Sequence, residues 1–156
     1  MLKAYFAAGC FWGVQQRFSR LPGVSQTAVG YMGGVMDSPD YRSVCTGRTG
    51  HAEVVEVVYD PDKIEFTTLL SCFFEWHDPT QVNRQGPDSG TQYRSTIFPQ
   101  TAAQQAEAEE KISQLNQSGH YSQPIATTLE ASDQFWIAED YHQDYLDKRG
   151  LGHCGI

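Results

Sequence analysis

The sequence predicts an α/β (α+β) fold in which helices pack against one mixed sheet, and three observations support it. The chain has 156 residues, which favours a single domain over 1–156. Hydrophobic residues make up 40 % and charged residues 19 %, a balance that can fill a core and argues against disorder. Segments with strand periodicity alternate with segments of helical periodicity, which is typical of helices layered on a sheet.

Glycine and proline residues that end helices and strands divide the first half of the chain into elements. Gly9 ends the first strand, and the Pro22–Gly23 pair ends the first helix. A stretch of about twenty residues that includes several glycines predicts a long loop, and such loops in compact domains are usually functional or disordered. The predicted elements are a strand at 3–8, a helix from Phe11 to near Pro22, a strand at 24–30, a loop at 31–51, a strand at 52–60 and a helix at 66–76.

The second half alternates in the same way. Its long helix begins with Thr101 as N-cap and Gln104 at the capping-box position, and Gly119 follows its end. The C-terminal residues 149–156 are rich in glycine, so we expect a mobile tail. The predicted elements are a loop at 77–91, a strand at 92–98, a helix at 101–119, a strand at 125–131 and a helix at 138–148.

Charge and hydropathy exclude several classes of function. The net charge of −8, without a basic stripe, argues against nucleic-acid and anionic-membrane partners. No apolar run approaches the roughly 20 residues of a membrane span. The N-terminal run MLKAYFAAGCFWG resembles a secretory signal only superficially, because Gly9 breaks it. We therefore expect a cytoplasmic protein, and as a separate expectation a monomer.

The four cysteines, Cys10, Cys45, Cys72 and Cys154, form no C-x-x-C pair and match no zinc-finger spacing. They are too few for a disulfide scaffold in a chain of this length. Cys72 lies in an apolar helix and is expected in the core, while Cys45 has no assigned role. Cys154 lies on the glycine-rich tail and suits a resolving thiol that swings to another sulfur.

Cys10 stands in the motif GCFWG, at the junction of the first strand and the first helix. One interpretation is a cysteine buried in the core. The other is a nucleophile, because a helix N-terminus stabilises the thiolate and lowers the thiol pKa. Phe11 and Trp12 then form the wall of an apolar pocket beside the sulfur, a role compatible with core packing.

Glu53 shares one face of its strand with Val55, Val57 and Tyr59, because side chains alternate along a strand. A carboxyl on an apolar face has a raised pKa and suits a general acid. The alternative is that Glu53 ends the strand in water.

Polar side chains in and beside the loops complete the set of candidates. His51 is a candidate base for Cys10. Tyrosine hydroxyls in the loops can donate to a polar substrate atom, and Asp88 is a turn residue by its local sequence. The tyrosines concerned are Tyr31, Tyr41 and Tyr93.

Long motifs resemble those of the A-type peptide methionine sulfoxide reductases: GCFWG, GYMGG, YRSVCTGRTGHAEVVEVVYDP, HDPTQVNRQGPDSGTQYRS and AEDYHQDYL. The resemblance covers nearly the whole chain. It implies a two-layer sandwich with a ferredoxin-like sheet. It also implies reduction of the S epimer of methionine sulfoxide, free or in proteins. Oxidation converts methionine to methionine sulfoxide, and enzymes of this class reduce the sulfoxide back to methionine.

The resemblance also implies the role of each site residue. Cys10 becomes a sulfenic acid and then a Cys10–Cys154 disulfide, which thioredoxin, or dithiothreitol in vitro, reduces without any metal or organic cofactor. The implied roles are Cys10 as nucleophile, Phe11 and Trp12 as the methyl pocket, Glu53 as acid, Tyr41 and Tyr93 as donors to the sulfoxide oxygen, Asp88 as a loop residue of the site and Cys154 as the recycling thiol.

Two other functions fit the residues alone. A Cys10–His51 hydrolase would cleave esters or amides and would not need Cys154. A redox-regulated binding module would use Phe11 and Trp12 as a peptide pocket and the thiols as a switch.

Overall fold

A computed structural model describes residues 1–150 of the chain. Its main sheet has six strands in the order β7-β6-β1-β3-β2-β8. All neighbouring strands are antiparallel except β6 and β7, which are parallel. The strands of this sheet are β1 (Leu2–Ala8), β2 (Val24–Met32), β3 (Ala52–Tyr59), β6 (Ser95–Ile97), β7 (Thr128–Leu129) and β8 (Trp136–Ile137).

The four central strands, in the order β6-β1-β3-β2, have the arrangement of a ferredoxin-like split βαβ unit. The predicted mixed sheet with helices packed on it is confirmed. The helices are α1 (Phe11–Ser19), α2 (Tyr41–Cys45), α3 (Phe66–Trp76), α4 (Ala102–Gln117) and α5 (Tyr145–Lys148). A separate two-stranded hairpin joins β4 (Arg84–Gln85) to β5 (Asp88–Ser89).

The main core lies between one face of the sheet and the helices. Phe6 on β1 contacts Phe18 of α1 and Phe73 of α3, with ring centroids 5.0 Å and 5.3 Å away. The opposite face buries a smaller cluster that includes Met32 and Phe98. Burial of these large side chains, each worth about 1.5–3 kcal/mol, fixes α1 and α3 against the sheet.

Antiparallel register brings the ends of four strands to one edge of the sheet. Ala8, the last residue of β1, pairs with Ser95, the first residue of β6. Tyr31, near the end of β2, pairs with Glu53, near the start of β3. The segments that follow β1 and β2 and precede β3 and β6 therefore meet at this edge, and they carry the candidate site residues.

Several element boundaries differ from those predicted. The predicted loop 31–51 contains the end of β2 and the short helix α2. The predicted strands 92–98 and 125–131 shorten to β6 and β7, and β8 is additional. The predicted helix 138–148 divides into a 3₁₀ turn, Asp140–His142, and α5, because Asp144 has a φ of 53°.

The predicted capping box of α4 forms only in part. The Thr101 hydroxyl accepts a hydrogen bond from the Gln104 backbone N–H at 3.1 Å, as expected. The Gln104 carboxamide oxygen accepts from the Gln100 backbone N–H instead of the Thr101 N–H. Within residues 1–150, no helix combines the length and the apolar character needed to cross a membrane.

Candidate active site

Cys10 is the N-cap residue of α1, at the edge of the sheet where β1 ends. Gly9 has a φ of 92°, a left-handed conformation that glycine adopts without the strain of a Cβ atom. This turn leaves Cys10 half-buried. The sulfur therefore lies at the positive end of a nine-residue helix, where a thiolate is stabilised.

Glu53 lies on β3 beside this helix end. Its Oε1 accepts a hydrogen bond from the Phe11 backbone N–H, the first of α1, at 3.3 Å. The side chain is 2 % exposed, which overturns the alternative of a strand end in water. Phe11 follows Cys10 directly, so the carboxyl group and the thiol lie at the same helix end.

Tyr41 and Tyr93 lie within electrostatic reach of Glu53. Burial and the nearby Glu53 charge raise the pKa of Tyr93 to about 12. Burial, the Glu53 charge and a hydrogen bond with Cys45 raise the pKa of Tyr41 further. Both phenols therefore stay protonated at neutral pH and can donate hydrogen bonds.

Asp88 and Cys45 lie at the periphery of the same group. Asp88, on β5, is close enough to Tyr93 to contribute to its raised pKa. Cys45, the last residue of α2, is exposed and lies within reach of Tyr41 and Gln92. Although the residue is exposed as a whole, partial desolvation of the Cys45 thiol and the nearby Glu53 charge raise its pKa, so this cysteine is less reactive than an ordinary one at neutral pH.

The aromatic rings beside Cys10 are held by the C-terminal segment. The Trp12 indole stacks on Tyr145, with centroids 3.7 Å apart and planes 10° apart. The Trp12 Nε1–H donates to His142 Nδ1 at 2.9 Å. His142 also contacts the rings of Phe11 and Tyr41, at centroid distances of 5.2 Å and 4.5 Å. These contacts form an aromatic wall next to the thiol.

A family model described as peptide methionine sulfoxide reductase matches residues 2–156. The chain belongs to this family. A relative from Methanoculleus marisnigri, named peptide methionine sulfoxide reductase MsrA, is 56 % identical over 152 residues, covering 97 % of this chain and 93 % of the relative. The resemblance seen in the motifs is confirmed, and so is the predicted oxidoreductase activity.

Solved structures agree with this membership in the peptide methionine sulfoxide reductase family. Reduced Mxr1 from Saccharomyces cerevisiae superposes with a TM-score of 0.87 at 39 % identity, covering 99 % of this chain and 88 % of Mxr1. Mxr1 in complex with Trx2 superposes with a TM-score of 0.61 at 25 % identity, covering 92 % of this chain and 84 % of Mxr1.

The Cys10–His51 hydrolase does not fit the structure of this peptide methionine sulfoxide reductase. His51 is 2 % exposed, and both of its ring nitrogens are engaged by the loop after β2. Its Nδ1 accepts from the Gly34 N–H at 3.0 Å, so Nε2 carries the proton and donates to the Met36 carbonyl at 2.7 Å. His51 therefore fastens a loop and is not positioned as a base for Cys10.

Gly34, of the GYMGG motif, lies against the backbone of the segment that carries His51. A Cβ atom at this position would lie 2.4 Å from the Thr49 carbonyl oxygen and 2.4 Å from the His51 backbone nitrogen. Only glycine allows the two backbones this close approach. The motif thus shapes the loop that leads to Tyr41.

Sequence reasoning missed His142 as a member of the reductase site. Burial lowers its pKa, and the nearby Glu139 charge opposes this only in part. Because Nδ1 accepts from Trp12, the neutral ring carries its proton on Nε2. This buried Nε2 has no hydrogen-bond partner within residues 1–150. A buried donor of this kind is normally satisfied by a ligand or a water molecule.

The remaining predicted residue, Cys154, lies outside the described residues, as does most of the predicted tail. Among residues 1–150, no group of three or more His, Cys, Asp or Glu side chains has a geometry that could hold a metal ion. The structure therefore brings together Cys10, Phe11, Trp12 and Glu53, with Tyr41, Tyr93 and Asp88 around them.

Proposed function

We propose that this reductase acts on the S epimer of methionine sulfoxide, free and in proteins, with Cys10 as nucleophile and Glu53 as general acid. The observation that carries the proposal is the hydrogen bond from the Phe11 N–H to the Glu53 carboxyl group, at 3.3 Å. It places a buried carboxyl group at the helix end that carries the thiol. The family membership supplies the reaction, and this contact supports Cys10 and Glu53 as the residues that perform it.

In the first step, the Cys10 thiolate attacks the sulfoxide sulfur while Glu53 gives its proton to the sulfoxide oxygen. The Tyr41 and Tyr93 hydroxyls donate hydrogen bonds to that oxygen as negative charge develops on it. The oxygen is then transferred to the Cys10 sulfur: the transient bond between the two sulfurs and the substrate sulfur–oxygen bond break, and a bond forms between the oxygen and the Cys10 sulfur. Methionine leaves as the thioether and Cys10 becomes a sulfenic acid. The substrate sulfur is reduced by two electrons and Cys10 is oxidised by two.

In the second step, the Cys154 thiol condenses with the Cys10 sulfenic acid, which forms a disulfide and releases water. A dithiol partner then reduces this disulfide by thiol exchange. The complex of Mxr1 with Trx2 supports thioredoxin as that partner. Each step is chemistry of sulfur, carboxyl and hydroxyl groups, so the scheme calls on no metal or organic cofactor.

Stereoselectivity follows from the two sides of the site. The aromatic wall of Phe11 and Trp12 suits the substrate methyl group, while the Glu53 side carries the donors for oxygen. The R epimer would exchange methyl and oxygen, leaving the oxygen against aromatic carbon and the polar groups unpaired. We expect methionine release from the S epimer to exceed that from the R epimer by about 10²-fold or more.

The assay combines the enzyme with dithiothreitol and each epimer separately, and it quantifies methionine. Dithiothreitol removes any dependence on a protein reductant, so the result reports the sulfoxide chemistry alone. Equal rates for the two epimers would contradict the assignment of the two sides of the site. If neither epimer gives any methionine, the proposed function itself is contradicted.

Replacing Cys154 with serine should leave the first turnover intact and stop recycling by thioredoxin. Chemistry at the sulfoxide requires the groups around Cys10, whereas thioredoxin requires an accessible disulfide. The Cys154→Ser variant should release about one methionine per enzyme and accumulate sulfenic acid on Cys10. Dithiothreitol, a small reductant, should restore part of the turnover.

The competing partner for Cys10 is Cys45, which is exposed and near Tyr41. A thioredoxin-coupled assay of Cys154→Ser and Cys45→Ser separates the two, with mass spectrometry of the oxidised wild type to map its disulfide. A Cys10–Cys45 bridge, or full thioredoxin-driven turnover by Cys154→Ser, would overturn the assignment of Cys154. Either result would leave the sulfoxide chemistry at Cys10 intact.

A further inference from the structure

Glu139 is a half-buried carboxylate that the reaction scheme above does not use. Its Oε1 accepts a hydrogen bond from the Tyr31 hydroxyl at 2.9 Å. Its Oε2 accepts from the Tyr41 backbone N–H, also at 2.9 Å. Tyr31 belongs to β2 and Tyr41 is the first residue of α2. One carboxylate therefore joins two separate elements at the edge of the sheet.

The two hydrogen bonds are charge-assisted. Burial disfavours the charged form of Glu139, but hydrogen bonds from Tyr41 and Tyr31 outweigh it and lower the pKa of the carboxyl group. Glu139 is therefore ionised at neutral pH. Hydrogen bonds to an ionised acceptor are roughly twice as strong as those between neutral groups, so the geometry at Tyr41 is firmly held.

Two further hydrogen bonds of α2 act within the helix. Its capping box joins the Asp40 and Ser43 side chains to each other's backbone N–H groups, at 2.8 Å and 3.0 Å. These bonds fix the shape of a five-residue helix and do not tie it to the sheet. The Tyr41 N–H instead donates to Glu139, and the same carboxylate accepts from the hydroxyl of Tyr31 on β2, so Glu139 links α2 to β2. Since Tyr31 pairs with Glu53 in the sheet, Glu139 relates the position of Tyr41 to that of Glu53.

We propose that Glu139 is a positioning residue for sulfoxide reduction: it holds the start of α2 so that the Tyr41 hydroxyl lies at the sulfoxide oxygen. Glu139 itself does not touch the substrate in this scheme. The inference rests on the proposed function, because it takes the Tyr41 hydroxyl as a donor in the first step.

The test is a double-mutant cycle on the rate of the first turnover, measured as methionine released from the S epimer in a single-turnover experiment. Glu139→Ala should slow this step by roughly 10-fold to 100-fold, the range for a reacting group displaced by about 1 Å. In the Tyr41→Phe background the same substitution should slow the step by no more than about 3-fold, because the hydroxyl that it positions is already absent.

Two further variants identify what the carboxylate contributes. Glu139→Gln keeps an oxygen for the Tyr41 N–H, and its amide can donate to the Tyr31 hydroxyl, so the rate should return to within about 3-fold of wild type. Asp140→Ala removes the same charge from the exposed neighbouring residue and should leave the rate unchanged. If Glu139→Ala does not fold, Tyr31→Phe takes its place in the cycle, since it loosens Glu139 by deleting one buried hydroxyl.

The outcomes separate the inference from the function on which it rests. Equal slowing by Glu139→Ala in the wild-type and Tyr41→Phe backgrounds would overturn the positioning role. A Glu139→Ala variant with a lower melting temperature but the wild-type rate would also overturn it. A Glu139→Gln variant as slow as Glu139→Ala would do the same. Failure of the wild type itself to release methionine would count against the proposed function instead.

Discussion

Replacing Cys10 with serine is expected to abolish methionine release, with less than about one part in 10³ of the wild-type rate remaining. A serine hydroxyl stays protonated at neutral pH, whereas the scheme needs the anionic sulfur that a helix N-terminus stabilises. The sulfenic acid intermediate also requires sulfur. The measurement is methionine formed from the S epimer with dithiothreitol in excess, over a time that gives the wild type many turnovers.

Loss of folding cannot account for this result, because Cys10 occupies the N-cap of α1. Serine is among the preferred N-cap residues, so the variant should be at least as stable as wild type and up to about 1 kcal/mol more stable. Cys72→Ser is the matched control, since Cys72 is a half-buried thiol on α3. It should retain the wild-type rate. Appreciable methionine release by Cys10→Ser would remove Cys10 from the mechanism.

Local patterns were sufficient where a residue's environment depends on its neighbours in sequence. The alternation Glu53, Val55, Val57 predicts a buried carboxyl on β3, and its side chain is 2 % exposed. Gly9 before Cys10 predicts a sharp strand-to-helix turn, and the φ of Gly9 is 92°. Both predictions depend on the geometry of one strand or one turn.

Tertiary contacts decided the elements that local patterns missed. The predicted helix 138–148 is interrupted at Asp144, and the side chain of the preceding residue, Gln143, bonds the backbone of β2. Its Oε1 accepts from the Val29 N–H at 2.8 Å and its Nε2 donates to the Val29 carbonyl at 2.9 Å. In the same segment, His142 accepts a hydrogen bond from Trp12 and Glu139 accepts one from Tyr41. The helical periodicity of 138–148 does not indicate that a side chain will bond the backbone of a distant strand. For this reason neither His142 nor Glu139 could be assigned to the site from the sequence.

The short helix α2 was missed for a different reason. Five residues between glycine-containing loops give too little periodicity to detect. A local signal was nevertheless present, because Asp40 and Ser43 have the residue types and spacing of a capping box. Attention to caps as well as periodicity would have located the helix that positions Tyr41.

The contacts around Cys10 bear on which group gives its proton to the sulfoxide oxygen. Burial and the nearby Glu53 and Asp88 charges keep the phenol pKa of Tyr93 high, at about 12, so this hydroxyl donates a hydrogen bond but does not readily give up its proton. Glu139 has a lowered pKa and is ionised, so it has no proton to give. Glu53 accepts a hydrogen bond from the Phe11 N–H, so its carboxyl group lies at the helix end that carries Cys10, which favours it as the donor.

Glu53→Gln is therefore expected to slow the first turnover by roughly 10²- to 10⁴-fold, the range for loss of one general acid. Glutamine has nearly the shape of glutamate and keeps an oxygen for the Phe11 N–H, so the variant removes the acidic proton and little else. Glu56→Gln is the matched control: it is three residues along the same strand, partly buried, and accepts a hydrogen bond from the Tyr5 hydroxyl at 2.7 Å. The measurement is methionine release in a single turnover at neutral pH, with melting temperatures for both variants. A Glu53→Gln rate within about 3-fold of wild type, or equal slowing by Glu56→Gln, would show that the proton reaches the sulfoxide oxygen from another group.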